Sequence, residues 1–506
     1  MDNFKKKISS IKKNVLIYGA GEAGSQLVKS LKNSPEFKVV GFLDDNESLH
    51  KKVVLNQFIY SSLNLEKLIL TKDVSLVFLA IPSIGRNKRN RIIKKLNKHK
   101  LIVKTLPSIA EIVDGRVTVS DIKDLNVDDL LNREQIKPDN ELLYKNIYKK
   151  TVLVTGAGGS IGSELCRQII KLKPSRLLLL ELNEFALYKI YEELKNHNKK
   201  QKVISLLVDS QDQDQLEIIF ESFRVNTVYH SAAYKHVPLV EENICSGVKN
   251  NVFSTLAVAK ACVSKKVSNF VLISSDKAVR PTNIMGASKR LAELCIQGIC
   301  KHFNHVITNF AIVRFGNVLD SSGSVIPKFK KQIQEGGPIT LTNKNVTRYF
   351  MTIPEAAQLV IQAGAMGKSS EVFVLDMGES VKILDLINKM ITLSGLTLKN
   401  SKNPDGDIEI KIIGLRPGEK LYEELLLGEK PQKTKHPKIL KASDSFTPFK
   451  LLEIELKKLK ILLDNHDSLR VKKLLEKAVK LYKSNSKIVD HIYIERKLLK
   501  KANTTK

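Results

Sequence analysis

A strand, a glycine-rich turn and a helix recur twice in this chain, as NVLIYGAGEAGSQLVKSL from Asn14 and as TVLVTGAGGSIGSELCRQII from Thr151. In each, an apolar run suited to a strand buried on both faces is followed by small residues and then by apolar positions at helical spacing. Such a unit needs further strands beside it and helices on both sides, so two α/β domains with doubly wound parallel sheets, of Rossmann type, are expected in series. KVVGFLDD and SLVFLAIP continue the first, and RNKRNRIIKKLNKHK after them reads as an exposed basic helix. RLLLLEL, KVISLLVD, TVYHSAA, NFVLISSD and FAIVRFGNV continue the second.

The length of 506 residues agrees with more than one core, because single cores stop growing near roughly 250–300 residues. The reading divides the chain into an N-terminal Rossmann-like domain over 1–125, a polar linker over 126–148 and a catalytic domain over 149–445. A helical basic tail follows over 446–506, where Leu452, Leu456, Leu459 and Leu463 recur at three- and four-residue spacing. The net charge of +30 would suit a polyanion. The lysines run through the whole chain without the interleaved aromatics of a single-strand binder, so no nucleic-acid partner is expected. Cys166, Cys245, Cys262, Cys295 and Cys300 form no CxxC pair, which predicts reduced thiols and no metal. The basic N-terminus is followed by a strand pattern, and no apolar run approaches the roughly 20 residues of a spanning helix. A cytoplasmic protein is expected, with peripheral membrane association through its basic surface as the one membrane role left open.

In the second unit Thr155, Gly156, Gly158, Gly159, Ser160, Ile161 and Gly162 form a turn that opens a helix, the arrangement that receives a pyrophosphate. Glu181 ends the next strand, where a carboxylate suits the ribose hydroxyls of NAD and repels the extra phosphate of NADP. The competing reading is that Glu181 only caps the following helix. Asp209, after the third strand, is a candidate adenine contact. The first unit has its own Gly19, Gly21 and Gly24 with Asp44 and Asp45 about 20 residues on, the spacing of a nucleotide ribose contact. It carries no convergent catalytic set, so it is either a nucleotide-binding or regulatory module or a fold that binds nothing.

The chemistry is expected in NFVLISSDKAVRPTNIMGASKR, where a strand delivers Ser275, Asp276 and Lys277 to its carboxyl end and Lys289 lies four residues after Met285. A generic dehydrogenase has Tyr-x-x-x-Lys at these last two positions. Methionine carries no proton, so the site is either dead or works without the tyrosine.

TGAGGSIGSELCRQI, SAAYKHVPLVE, KNNVFST, SSDKAVRPTNIMGASKR, VRFGNVLDSSGSVIPKF, VTRYFMTIPEA and GLRPGEKLYEEL together resemble the CapD-like polysaccharide-biosynthesis family of extended short-chain dehydrogenases, from about residue 149 to 430. The resemblance implies a small C-terminal substrate lobe, an NAD-dependent 4,6-dehydratase acting on UDP-N-acetylglucosamine, and a homo-oligomer. The first domain and linker are similar to the large members of that family, from which this chain departs in lacking their transmembrane helices. Methionine at position 285 is a feature of that large subgroup and implies retention at carbon 5. By analogy with related hexose dehydratases, Asp276 would be the acid and Lys277 the base. Ser275 would hydrogen-bond the 4-hydroxyl, and Lys289 would hold the nicotinamide ribose. The positions that match for the UDP-sugar are Lys235, Asn317, Arg348, Arg416 and Glu419. As a base, Lys277 is expected to have a pKa lowered towards neutrality. An inverting dehydratase, a 4-epimerase, and a non-catalytic nucleotide-sensing scaffold of a glycan-assembly complex remain as alternatives.

Overall fold

Apolar residues alternate between the two faces of each central strand, and this alternation builds the molecule. The computed structural model describes residues 12–105, 123–124, 136–197, 202–302, 307–425, 431–484 and 486–504, except for positions 33, 82–83, 85–87, 89–90, 93–94, 97–98, 100, 395 and 445. Residues 126–135 of the sequence-derived linker, and much of the basic segment 86–100, lie outside the described residues, while 140–145 of the linker form a short helix.

Two compact units are present. The first comprises 1–134, 329–340 and 384–411, and the second the remainder. In the first, a seven-stranded sheet has Lys13–Tyr18 at its centre, flanked in parallel by Phe37–Asp44 and Val74–Leu79. Val15 and Ile17 pack on one face with Leu27 and Leu31 of the helix Glu22–Leu31, and Leu16 and Tyr18 on the other.

In the second unit a nine-stranded sheet runs Lys202–Leu207, Arg176–Glu181, Thr151–Thr155, Thr227–His230, Asn269–Ile273, Asn309–Arg314, Glu371–Leu375, Ile439–Ala442 and Gln432–Lys433. All but the last two are parallel. The chain begins at Thr151–Thr155, winds outward in one direction, then returns to continue from Thr227–His230 in the other. The crevice at that switch point is where ligands bind in sheets of this kind. Val152, Val154, Leu177 and Leu179 face the helices Ser160–Lys171 and Ile353–Met366. Leu153, Leu178 and Leu180 face the helices Ser254–Ser264 and Ile284–His302. Leu452, Leu456, Leu459 and Leu463 of the helix Phe449–Asp464, with Val471 and Leu475 of the next helix, join this second cluster. These two tail helices are therefore part of the core, while the last helix, His491–Thr504, leaves Ile492, Leu498 and Leu499 exposed. Among the described residues no helix is long and apolar enough to cross a membrane.

Candidate active site

The glycine turn is shaped by close approach. Gly156 has φ +62, and a Cβ on Gly162 would stand 2.0 Å from the Gly156 carbonyl oxygen, so a side chain at Gly162 is excluded by backbone. Gly159 is the N-cap of the helix Ser160–Lys171 and makes no side-chain cap, leaving first-turn amides free for an anion. Glu181 accepts from Gly158 N at 3.0 Å and from Leu182 N and Asn183 N. Asn183, not Glu181, accepts from Ala186 N in the first turn of the next helix, which answers the capping alternative. A bare amide cradle with a carboxylate at its edge fits the pyrophosphate and ribose of NAD. The Asp209 carboxylate accepts from Gln211 N and Nε2.

The first unit repeats part of this design. Asp44 accepts from Ala20 N at 2.8 Å as Glu181 does from Gly158, and Gly24 abuts the Gly19 carbonyl as Gly162 abuts Gly156. Gly21 faces open space. Asp45 accepts from Ser62 Oγ at 2.6 Å and is tied inward.

In the second unit a cavity of about 700 Å³ opens beside the glycine turn. Gly159, Ser160, Ile161 and Gly162 line it, and so do Lys235, Ser275, Lys277, Met285, Lys289 and Asn317. Sequence reasoning thus finds the charged and glycine-turn part of the wall, but not Ser231, Tyr234, His236, Asn243, Phe315 or the Ser321–Val325 stretch. The fully buried strand Asn269–Ile273 carries Ser275 to the mouth, and Asp276 N is fixed by the Phe315 carbonyl at 3.0 Å. Opposite, Asn283 accepts from Gly286 N at 2.8 Å and starts the helix that brings Met285 and Lys289 to the same wall. Lys289 Nζ donates to the Ile273 carbonyl at 2.7 Å, and burial pushes its pKa down to about 8. Met285 is buried at the tyrosine position and offers only a thioether.

Asp276 is 1 % exposed and lies behind the wall rather than on it. Its Oδ1 accepts from Ser275 Oγ at 2.9 Å and from Lys277 Nζ at 2.9 Å, while Oδ2 has no partner. Lys277 Nζ also donates to Asn317 Oδ1 at 3.1 Å and lies 3.4 Å from Glu423 Oε1. Burial raises the Asp276 pKa. Burial alone would lower that of Lys277, but Asp276 and Glu423 outweigh it and hold the ammonium above its ordinary range. The expectation of a lysine lowered towards neutrality is therefore reversed, because two buried carboxylates flank it.

Arg348 also differs from expectation. It is 8 % exposed and donates to the carbonyls of Thr347, Lys420 and Leu421, with Glu419 Oε1 at 3.4 Å. Its guanidinium is held by these carbonyls and does not line the cavity. Glu419 is shared among Arg348, Thr342 and the Arg416 amide, and Arg416 itself is exposed. Glu423 escaped the sequence reading. The only available signal was that it lies in the same stretch, GLRPGEKLYEEL, as Arg416 and Glu419.

Beneath the wall, Glu293 accepts from Ser274 Oγ at 2.6 Å, Arg314 Nε at 2.7 Å and Arg290 Nη1 at 2.8 Å, and Asp444 binds both arginines. This buried quartet was equally invisible in sequence. It joins the helix of Lys289 to the strand beside Ser275.

Comparison with known proteins places this geometry in context. The family described as "Polysaccharide biosynthesis protein" matches residues 152–444, and the PglD N-terminal domain matches 14–96. The capsular polysaccharide biosynthesis protein CapD of Staphylococcus aureus is 41% identical over 420 residues, covering 82% of this chain and 69% of its own length. The probable polysaccharide biosynthesis protein EpsC of Bacillus subtilis (strain 168) is 44% identical over 415 residues, 81% of this chain and 68% of its own. Among solved structures, Pen from Bacillus thuringiensis superposes with a TM-score of 0.50 at 34% identity, covering 56% of this chain and 85% of that one. Relatives with enzyme names are of two kinds. A UDP-glucose 4-epimerase of Rickettsia rickettsii is 31% identical over 56% of this chain and 80% of its own length. An inverting UDP-N-acetylglucosamine 4,6-dehydratase of Campylobacter jejuni is 28% identical over 55% and 78%. With its glycine cradle, its Ser-Asp-Lys strand end and its matched region covering more than half its length, the chain belongs to the polysaccharide biosynthesis protein family.

Proposed function

We propose that this chain is an NAD-dependent dehydratase of UDP-N-acetylglucosamine that removes water across carbons 5 and 6 and leaves the configuration at carbon 5 unchanged. The observation that carries the reading is the 2.9 Å contact between Lys277, on the cavity wall, and Asp276 directly behind it, with Ser275 beside them and methionine in the tyrosine's place. NAD bound at the cradle supplies reversible oxidation at carbon 4, taking up a hydride there and returning it at carbon 6.

The chain's own residues supply binding and proton transfer. The Gly159–Gly162 turn presents amides to the pyrophosphate, Glu181 takes the adenosine ribose hydroxyls, and Lys289 takes the nicotinamide ribose. Lys235 and Arg416 supply cations for the sugar's diphosphate. Ser275 orients the 4-hydroxyl, and the 4-keto group acidifies the carbon-5 proton.

Elimination then needs one base and one acid in the same place. The ion pair holds both in latent form. Moving one proton from Lys277 Nζ to Asp276 turns two charges into a neutral amine and a neutral acid, and a site closed by substrate favours the neutral pair because separated charges lose their water. Lys277 takes the carbon-5 proton, the electron pair forms the C5–C6 double bond, and the 6-hydroxyl leaves as water with the proton from Asp276. When hydride reaches carbon 6, Lys277 returns a proton to carbon 5 on the same face, and the proton released by the 4-hydroxyl on its oxidation makes good, through solvent, the one that left with the water. Ser275, which lines the cavity and bonds Asp276, connects the buried acid to the substrate.

The second reading is a 4-epimerase, supported by the epimerase named among the relatives. Epimerisation needs no proton transfer at carbons 5 and 6 and would leave Lys277 and Asp276 idle. Mass spectrometry of the nucleotide sugar after incubation separates the two, since dehydration predicts loss of one water and an unchanged mass rules it out.

A further inference from the structure

Two buried carboxylate oxygens, Asp276 Oδ2 and Glu423 Oε2, have no hydrogen-bond partner, and both belong to acids that flank the same ammonium. Buried polar atoms are rarely left unpaired, and when they are, the reason is often chemical. Glu423 is brought there by a deliberate staple. The Gly418 carbonyl accepts from Thr282 Oγ1 at 3.0 Å and Asn283 Nδ2 at 3.1 Å, Lys420 Nζ donates to the Val279 carbonyl at 3.1 Å, and Arg280 pairs with Glu424. These contacts pin segment 418–424 along segment 277–283, so Glu423 reaches Lys277 at 3.4 Å. Glu423 does not line the cavity, so anything it does to a substrate passes through Lys277.

We propose that Glu423 is a positioning residue for the elimination: by sharing Lys277 with Asp276, and with Arg348 at its other side, it sets the charge balance at which the pair holds the single proton it must pass on. The inference rests on the dehydratase reading above. Lys277 faces Asp276, Glu423, Asn317 and Arg348; Glu423 faces Lys277, Arg348 and Lys420; Asp276 faces Lys277, Glu423 and Ser275.

The consequence is a position on the pH axis. The pair works with one proton between Asp276 and Lys277. With two protons it has no base, and with none it has no acid. Turnover is then bell-shaped, with limbs that belong to the pair as a whole. The Glu423 charge raises the proton affinity of both members, in agreement with the upward directions of Asp276 and Lys277 and the downward direction of Glu423 itself. Removing that charge moves both limbs to lower pH. A residue that merely supports the fold would lower the maximum and leave the limbs in place.

The test is the kcat–pH profile of full-length E423Q, E423D and E495Q, an exposed glutamate of the helix His491–Thr504, against the unaltered chain. The expected result is a shift of both limbs to lower pH by about 1 unit in E423Q, the size expected for loss of one adjacent charge. E423D should restore the original position, and E495Q should leave it unmoved. A second readout needs no turnover. Carboxyl ¹³C spectra of aspartate-labelled protein, with D276N assigning the resonance, should show the Asp276 transition at lower pH in E423Q than in the parent. If the parent forms no dehydrated sugar but the resonance moves, the dehydratase reading fails and the charge role of Glu423 stands. If the resonance and the limbs stay in place, Glu423 has no such role.

Discussion

At the scale of residues, the site is a cavity wall with a charged layer behind it, and the two layers were unequally legible. Ser275, Lys277, Met285 and Lys289 could be found because strand ends and helix first turns carry chemistry in a parallel sheet, and each sits within a few residues of a recognisable pattern. Glu423 and Arg348 could not be assigned their parts, because what they do depends on which carbonyls and ammonium groups lie near them in space. The raised proton affinity of Lys277 follows from that hidden layer. Substituting Lys277 by alanine removes the base and one hydrogen bond but leaves the cradle and Lys289 intact. K277A is therefore expected to lose about 10²–10⁴ in kcat with little change in NAD binding, measured by steady-state kinetics and by titration of the nucleotide. A K277A variant with full turnover removes Lys277 from the mechanism.

At the scale of elements, the helix Ile284–His302 and the strand Asn309–Arg314 are held in register by the Glu293 quartet. Glu293 and Arg314 are both 0% exposed, so removing the carboxylate leaves two arginines short of their counter-charge. E293Q is expected to lower stability by about 3–5 kcal/mol in urea denaturation, the cost of breaking one partner from a buried pair. Burial would raise the Glu293 pKa, but Arg314 and Arg290 lower it to about 2. Its stabilisation is therefore complete above its unfolded value near 4.5 and is lost as pH falls from there towards 2. Acid unfolding of the parent should show this window, and E293Q should not. The glycine turns belong to the same scale and were fully legible, since only a residue without a side chain fits where backbone approaches backbone.

At the scale of the whole molecule, the sequence announced two α/β sheets through two separate strand-turn-helix starts, and both sheets have the expected parallel order at their centres. The tail was harder to place. Its leucine spacing announced amphipathic helices, but spacing says nothing of the surface they cover, which proves to be the core containing the helix of Met285 and Lys289. Leu459 is fully buried there, and L459A is expected to cost about 2–5 kcal/mol and to destabilise the NAD-binding unit as a whole, seen as a lower Tm of its single transition. A separate early transition for the tail would contradict that.

The central claim is that the Asp276–Lys277 pair eliminates water from a UDP-amino sugar with retention. Proton NMR of the purified chain with UDP-N-acetylglucosamine and NAD in deuterated water tests it directly. The account predicts a new 6-methyl signal, deuterium at carbon 5 and the coupling pattern of the unchanged configuration. An inverted carbon 5, or a 4-epimer with carbon 6 still hydroxylated, contradicts it.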